Sequence, residues 1–490
     1  MHARFLFPLL LISASVHAAT LAVLPNTSIQ TKIDAAQPSD IVAIFGGTYN
    51  EDITINKAVR LVKVSGQSVT LQGSVTFSGV TKAPPFDGFI VGSSGRGINV
   101  NDTTGLVISN VDARAGSGIS ATGNSLLKIH DSQLSNVIAN GLPLEISNCQ
   151  MNDVATTGGD SLQITNCQFG SLNTDCVSSK ITKSALRGNI WHNSGILHAS
   201  TVTVGGNFDT SDNAQKTVGF RTTVAGDMTW RSKKAWLGYS KARSFYFAGS
   251  GAKVALVGTE IDRVNQDAYG MKLHGSNNRY LVTNCNIHDI AWRGAWSEEI
   301  GIWVAGGGNS AVLQNNSIRM QWQGGGGYNY YYWGWQWHDS NGDNDSDAIR
   351  IQDTTAVTIR NNIFYGCMYE INAPFGVAIA NNLVWSNRFL FRGSLIPTNN
   401  ISADPLFVEN EAPKLQEGSP CINAGTPDPL YNDRDGSQND IGPAGGAWFD
   451  PEGWTTDKPV VISFDLSPEQ VLEGADTEVV ISNGGAVSQP

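Results

Sequence analysis

A short phrase recurs along the chain: an apolar residue, any residue, Asn, then Cys or Asn, any residue and another apolar residue. It reads Ile146-Ser147-Asn148-Cys149, Ile164-Thr165-Asn166-Cys167, Val282-Thr283-Asn284-Cys285, Leu313-Gln314-Asn315-Asn316, Ile359-Arg360-Asn361-Asn362 and Ile379-Ala380-Asn381-Asn382, with Ile108-Ser109-Asn110 as a weaker early copy. Around each copy, apolar residues alternate with Ser, Thr and Arg, the period-two pattern of short half-buried strands. No 3.6-residue period accompanies them. The steps of 18 residues from Asn148 to Asn166 and 20 from Asn361 to Asn381 match one coil of a solenoid built from three short strands. Asn suits the corner because it tolerates the left-handed backbone of a sharp turn and its amide can bond to the coils above and below. The pattern predicts an all-β parallel solenoid.

Composition narrows the class. The chain has 490 residues, 53 of them Gly, 41% hydrophobic and 15% charged, with a net charge of −11; globular proteins are typically ~25% charged. An acidic balance excludes a broad nucleic-acid footprint, and the apolar content excludes a disordered chain. Length alone suggests about three domains, but a repeat array grows within a single domain. Met1 to Ala18 reads as a signal peptide, with Arg4, an apolar run from Phe5 to Ile12 and Val16-His17-Ala18 as the cleavage site. The mature chain is then expected to be exported, periplasmic or extracellular, monomeric and without a membrane span. Cys149, Cys167, Cys176, Cys285, Cys367 and Cys421 contain no C-x-x-C, and three of them sit in the repeated phrase, so buried or stacked thiols are expected rather than zinc or a disulfide framework.

The ends add a resemblance. Thr27-Ser28-Ile29-Gln30 reads as a capping box opening a short amphipathic helix to about Ala36, suited to plug an open stack. Ser28 to Asp40 with Gly47-Thr48-Tyr49-Asn50-Glu51, and at the other end Asp404-Pro405-Leu406-Phe407, Gly418 to Gly425 and Asp433 to Gly442, resemble terminal phrases of the secreted right-handed parallel β-helix (pectin-lyase-like) superfamily. The resemblance implies a single-stranded right-handed parallel β-helix with an N-terminal capping helix. The expected division is residues 1–18 signal peptide, 19–446 β-helix with its cap and closing segment, and 447–490 a tail. Within the tail, Pro459 to Gly485 alternates like the start of an immunoglobulin-like module, although the ~30 remaining residues are too few for a whole one.

Two corner-to-corner intervals are long: 31 residues from Asn284 to Asn315 and 46 from Asn315 to Asn361. The surplus carries Trp292, Arg293, Trp296, Glu298 and Glu299 in the first loop, and Trp322 through Tyr331, Trp333, Trp335 and His338 in the second. Insertions in adjacent repeats collect on one face, often the binding face, and so many aromatic rings beside four consecutive Gly read as a wall that stacks on sugars. Counting back from the corners aligns Phe245-Tyr246-Phe247, Met271-Lys272-Leu273, Ile302-Trp303-Val304, Ile349-Arg350-Ile351 and Tyr369-Glu370-Ile371. The middle residues should then face outward as a column Tyr246, Lys272, Trp303, Arg350, Glu370, with His274, Ala305, Gln352 and Asn372 two residues on. Asp267, Glu298 and Asp345 form a third column, three residues before the small residue expected to open each outward face.

β-Elimination in a uronic-acid polysaccharide needs a cation at the carboxylate, a base for the C5 proton and an acid for the leaving oxygen. Lys272 as base, Arg350 as charge neutraliser and Tyr246 or His274 as acid make a workable set, with Trp303 and the loop rings Trp292, Trp296, Tyr331, Trp333 and Trp335 holding sugar. The β-helix polysaccharide lyases, which this arrangement resembles, imply a Lys or Arg base and calcium held by carboxylates; Asp267, Glu298, Asp345 and Asp347 are the oxygen ligands on offer. Each feature also has a plainer reading: Lys272 as a solvated side chain, Arg350 in a cross-coil ion pair, the Asp run at 339–347 as a polar loop and His274 before Gly275 as a turn residue. A glycoside hydrolase with paired carboxylates among Asp267, Glu298 and Asp345 is the nearest alternative. Asn173-Thr174-Asp175 matches one fragment of the polygalacturonase pattern, but the companion elements are missing. A non-catalytic glycan-binding or adhesive β-helix is the third reading.

Overall fold

In the computed structural model of the protein, the described residues are 18–262, 269–291, 300–321, 347–354, 356–367, 369–374, 377–387, 389–392, 395–408, 413–447, 450, 452–455, 460–467 and 480–487. They fall into two compact units divided after Ile138. The signal-peptide reading at residues 1–18 lies almost wholly outside the described residues. Among those described, no helix is long and apolar enough to cross a membrane.

The first unit is a parallel solenoid with three strand columns. Thr20–Val23, Ile41–Ile44 and Arg60–Lys63 pair in parallel. So do Ile53–Ile55, Val75–Ser78, Ile98–Asn101 and Ile119–Thr122, as do the short strands from Gly47–Tyr49 to Gln133–Leu134. Alternation puts Ile53, Ile55, Val75, Phe77, Ile98 and Val100 inside. The helix Ile29–Ala35 buries Ile29 and Ile33 completely. Its N-cap is Ser28, whose hydroxyl accepts from the Thr31 N–H at 3.1 Å, so the cap falls one residue later than a Thr27–Gln30 box. The reciprocal carboxylate comes from the next coil: Glu51 accepts from the N–H groups of Ile29 (2.6 Å) and Gln30 (3.3 Å) and from the Ser28 hydroxyl (2.8 Å). A carboxylate there also suits the positive end of the helix dipole.

The second unit repeats the plan. Its first sheet contains Lys241–Phe247, Tyr269–His274, Ile300–Ala305, Asp347–Gln352, Tyr369–Asn372 and Phe389–Arg392. Its second contains Lys234–Gly238, Lys253–Val257, Arg279–Thr283, Ser310–Gln314, Ala356–Arg360 and Ala378–Ala380. The third contains Glu260–Asp262, Asn286–Ala291, Ser317–Gln321, Ile363–Tyr365, Leu383–Trp385 and Ile401–Ser402. Every pairing is parallel, and each step along a sheet advances one coil. Inward columns such as Val254, Tyr280, Ala311, Val357 and Leu256, Val282, Leu313, Ile359 are buried; burying a large aliphatic side chain of this kind stabilises by ~1.5–3 kcal/mol.

Asn110, Asn148, Asn166, Asn284, Asn315, Asn361 and Asn381 all take φ between 52° and 57°, the left-handed corner conformation the repeat requires. Their amides do more than stack. Asn166 donates to Asn148 at 2.8 Å, but the coil-to-coil ladder farther along is made by the residue after the corner: Asn362 Oδ1 accepts from the Asn316 N–H and Asn382 Oδ1 from the Asn362 N–H, both at 2.9 Å. The corner side chains there bind the C-terminal segment instead. Asn361 Oδ1 accepts from Thr426 N–H (2.9 Å), Asn315 Nδ2 donates to Asp440 O (2.8 Å), and Asn284 Nδ2 donates to Pro443 O (2.9 Å) and Gly445 O (2.7 Å). The segment therefore runs backward over successive corners, with Ile441 and Cys421 buried against Ile363 and Leu383. It continues to Tyr239, whose hydroxyl accepts from Asp450 N–H, and to Arg221, whose Nε donates to Gly453 O, both at 2.9 Å. Strands Val460–Ser467 and Val480–Val487 pair antiparallel. No disulfide joins the six cysteines, and all of them are buried.

Candidate functional site

The first sheet of the second unit carries the expected outward column. Tyr246 pairs with Lys272, Lys272 with Trp303, and Trp303 with Arg350, each one coil from the last. His274, Ala305 and Gln352 follow as the second column. The register departs at the next coil: Arg350 pairs with Asn372, and Ile349 with Ile371, so Glu370 is two residues out of the place expected for it. Phe245, Phe247, Met271, Leu273, Ile302, Val304 and Ile349 are fully buried beneath this column.

Lys272 sits among rings. Its ammonium lies 4.2 Å from the Trp303 ring centroid, 5.1 Å from Tyr269 and 5.5 Å from Tyr246. Tyr269 was missed by the sequence reading. Its only signal was an aromatic residue three positions before Lys272, which strict alternation does not place on the same side. A break in alternation at Gly270 brings it there: Gly270 and Met271 are buried in succession, which leaves Tyr269 and Lys272 half-buried on either side of them. Gly270, Gly301 and Ala348 do not open the outward face, as the column argument supposed; they are buried. A Cβ on Gly270 would lie 2.8 Å from Ile287 Cγ2, and one on Gly301 would lie 2.5 Å from Ala348 O. They are small because the coils close tightly there. Among the described residues Lys272 has no carboxylate partner within ion-pair distance, and burial pulls its pKa below the usual lysine value. The facing rings favour the ammonium and oppose that pull.

On the other side of Trp303 stands Arg350, its guanidinium carbon 5.9 Å from the indole centroid. Its side chain is only 12% exposed, and its Nε donates to the fully buried Asp347. Asn372 Nδ2 donates to the same Asp347 oxygen at 3.2 Å. The cation is thus oriented by a buried carboxylate three residues earlier on its own strand, and Asp347 is committed to that contact. Tyr246 Oη lies 3.4 Å from His274 Nδ1, with the two rings stacked 6.4 Å apart. Lys272, Trp303, Arg350, Tyr246 and His274 are thereby assembled on one sheet. Asp267, Glu298, Asp345, Trp292, Trp296, Tyr331, Trp333 and Trp335 lie outside the described residues. Asn173-Thr174-Asp175 lies on the strand Leu172–Asp175, with Thr174 buried and bonded to Ser179 at 2.8 Å.

A second titratable cluster lies on the third sheet. Ligand atoms of Glu260, Asp262 and His288 fall within 4.8 Å of one another. The Lys241 ammonium bridges Glu260 Oε1 (2.9 Å) and Asp262 Oδ2 (3.1 Å), and His288 meets Glu260 Oε1 through Nε2 at 3.0 Å and Asp289 Oδ2 through Nδ1 at 2.8 Å. The hydrogen bond with His288, opposed by burial and helped by Lys241, holds the Glu260 pKa down to about 2. Burial lowers the His288 pKa, but hydrogen bonds to Glu260 and Asp289 outweigh it and the net shift is upward. The set can hold a cation, and the lysine ammonium already takes that position. An imidazole ligand suits a transition metal better than calcium, which takes oxygen ligands. Glu-x-Asp at 260–262 and His-Asp at 288–289, about one coil apart, carried the sequence signal.

No family model and no curated protein matches the chain. Among solved structures, the crystal structure of pectate lyase Pel9A is similar to it at 14% sequence identity, over 88% of this chain and 97% of that one, with a TM-score of 0.23. At that superposition the likeness assigns no role to any residue. The fold itself, a parallel β-helix, follows from the chain's own strand register.

Proposed function

We propose that the protein is a secreted polysaccharide lyase that cleaves a uronic-acid polysaccharide along the Tyr246, Lys272, Trp303, Arg350 column. The observation that carries this reading is Lys272: a lysine on an outward column, beside three aromatic rings, with its pKa lowered by burial and no carboxylate counter-charge among the described residues. Aromatic faces stack on sugar rings, and a lysine of lowered pKa has more of the neutral amine that a general base requires.

In this reading the Lys272 amine takes the C5 proton. The electron pair left behind forms the C4–C5 double bond as the C4–O bond breaks, and Tyr246 or His274 returns a proton to the departing oxygen. Arg350, held by Asp347, faces the uronate carboxylate and steadies the charge that develops there. If calcium takes part, Asp267, Glu298 and Asp345 are the carboxylates that would hold it, because Asp347 is already matched by Arg350.

The test is a panel of pectate, alginate and glycosaminoglycans, with and without chelator, followed by the ultraviolet absorbance of unsaturated uronate ends. Absorbance from one substrate supports the reading. New reducing ends without absorbance point to a hydrolase, and binding without cleavage points to an adhesive β-helix.

A further inference from the structure

The third sheet of the second unit carries an outward column of its own. Arg319 pairs with Tyr365, and Tyr365 with Trp385, so three successive coils place a cation and then two aromatic rings at one register position. The residues just before the rings, Phe364 and Val384, are buried, whereas Tyr365 is 36% and Trp385 37% exposed. A lone exposed ring is ordinary on a protein surface, but rings in register on adjacent coils make a contiguous strip, and strips of that kind mark binding sites. Neighbouring coils of a parallel sheet lie about 4.8 Å apart, so the two rings stand side by side. Phe407 extends the strip, its ring edge-on to Tyr365 at 6.2 Å.

The cation at the head of the strip is unmatched. Arg319 is half-buried, with its guanidinium carbon 5.9 Å from the Phe407 centroid. Its Nε is buried without a hydrogen-bond partner, and among the described residues no carboxylate comes within ion-pair distance of the guanidinium. Asp289 and Glu260 act on it only from farther away. The acids on this side are already taken: Asp289 by His288 at 2.8 Å, Glu260 by His288 at 3.0 Å and by Lys241 at 2.9 Å, and Asp262 by Lys241 at 3.1 Å. That cluster holds cations enough for its own carboxylates, so it neither satisfies Arg319 nor presents a bare negative charge beside it. A guanidinium left without partners is costly, and a carboxylate is the acceptor its planar fork fits best.

We infer that the Arg319, Tyr365, Trp385 column is a second glycan site, on a different sheet from Lys272, and that it takes a sugar bearing a carboxylate. Tyr365 and Trp385 offer the sugar an aromatic face, and Arg319 offers the carboxylate its donors. A neutral sugar would leave the cation unmatched, and a small anion would leave the rings uncovered; an acidic sugar answers both. The site involves no residue of the Lys272 column and needs no cleavage, so it stands whether or not that column is a lyase.

The test uses the full chain carrying Lys272→Ala and Trp303→Ala, which removes the contribution of the first sheet. Short oligouronates from pectate and from alginate are titrated and their binding is followed by ligand-observed NMR, with Tm confirming that each variant folds. Saturable binding is expected in this chain. Adding Tyr365→Ala and Trp385→Ala, both at exposed side chains, should raise Kd several-fold. Methyl-esterified oligomers of pectate should bind several-fold more weakly than the acid, and Arg319→Gln should bring the acid to the level of the ester while leaving the ester unmoved. No saturable binding in the starting chain, a Kd indifferent to the loss of both rings, or an Arg319→Gln variant that weakens acid and ester alike, would overturn the proposal. Cleavage by the wild type, present or absent, bears on the Lys272 column alone.

Discussion

The ammonium of Lys272 lies 4.2 Å from the indole centroid of Trp303, its register partner on the next coil. Arg350 approaches the same indole from the following coil, so one ring separates two cations. That separation lets like charges occupy one column without a direct clash. It also leaves Lys272 partly buried and, among the described residues, with no carboxylate within ion-pair distance.

Trp303→Ala removes the ring from between the two cations. Each cation–π contact is worth about 0.5–1 kcal/mol at such a site, so a fall of a few degrees in Tm is expected by calorimetry. Polysaccharide affinity should drop roughly tenfold, equivalent to about 1.4 kcal/mol, and Trp303→Phe should recover part of both losses.

The lowered Lys272 pKa fixes a sign for the pH profile. Activity should rise as pH climbs through the lysine's pKa, because the base is the neutral amine, and the inflection should lie below the ordinary lysine value of 10.5. Lys272→Arg keeps a cation but cannot deprotonate in this range. It is expected to retain polysaccharide binding while losing the product-forming step, as measured by binding and kcat side by side.

The Glu260 and His288 pair gives stability a pH window. Glu260 is lowered from 4.5 to about 2, so its contribution is present above 4.5 and is lost as pH falls toward 2. His288 is raised above 6.5, so its contribution is full below 6.5 and is lost as pH climbs through its raised value. Their shared contribution is therefore greatest between 4.5 and 6.5. The difference in Tm between wild type and His288→Gln, followed across pH, should peak in that interval and shrink on both sides.

Gly301→Ala places a Cβ 2.5 Å from Ala348 O and 2.6 Å from Ile318 Cγ2. Backbone on one side and a core side chain on the other leave nowhere to yield without parting the coils. A loss of about 1–3 kcal/mol is expected, measurable by denaturant unfolding. Gly307→Ala, where a Cβ would meet nothing within 4 Å, serves as the contrast.

The repeat was legible because a left-handed corner restricts the residue that fills it: Asn148, Asn166, Asn284, Asn315, Asn361 and Asn381 all stand where the phrase put them. The Tyr246, Lys272, Trp303, Arg350 column followed from counting back from those corners. It slipped at Glu370 because the distance from strand to corner shortens at that coil. Other features depended on contacts that no local pattern encodes. Glu51 caps a helix from a different coil, Asp347 turns inward to Arg350 rather than outward as a ligand, and the corner amides serve a closing segment more than 120 residues away for Asn315 and nearly 160 for Asn284. Tyr269 joined the site through a break in alternation at Gly270, which a strict period of two cannot show.

The central claim is that Lys272 is the base of a β-elimination. Its most direct test is the product formed from a cleaved uronate polysaccharide by wild type and by Lys272→Ala, with Tm confirming that the variant folds. The account predicts a new non-reducing end carrying a C4–C5 double bond in the wild type, and none from a folded variant that still binds the polymer. Saturated ends from the wild type, or unsaturated ends formed at the same rate by Lys272→Ala, would contradict it.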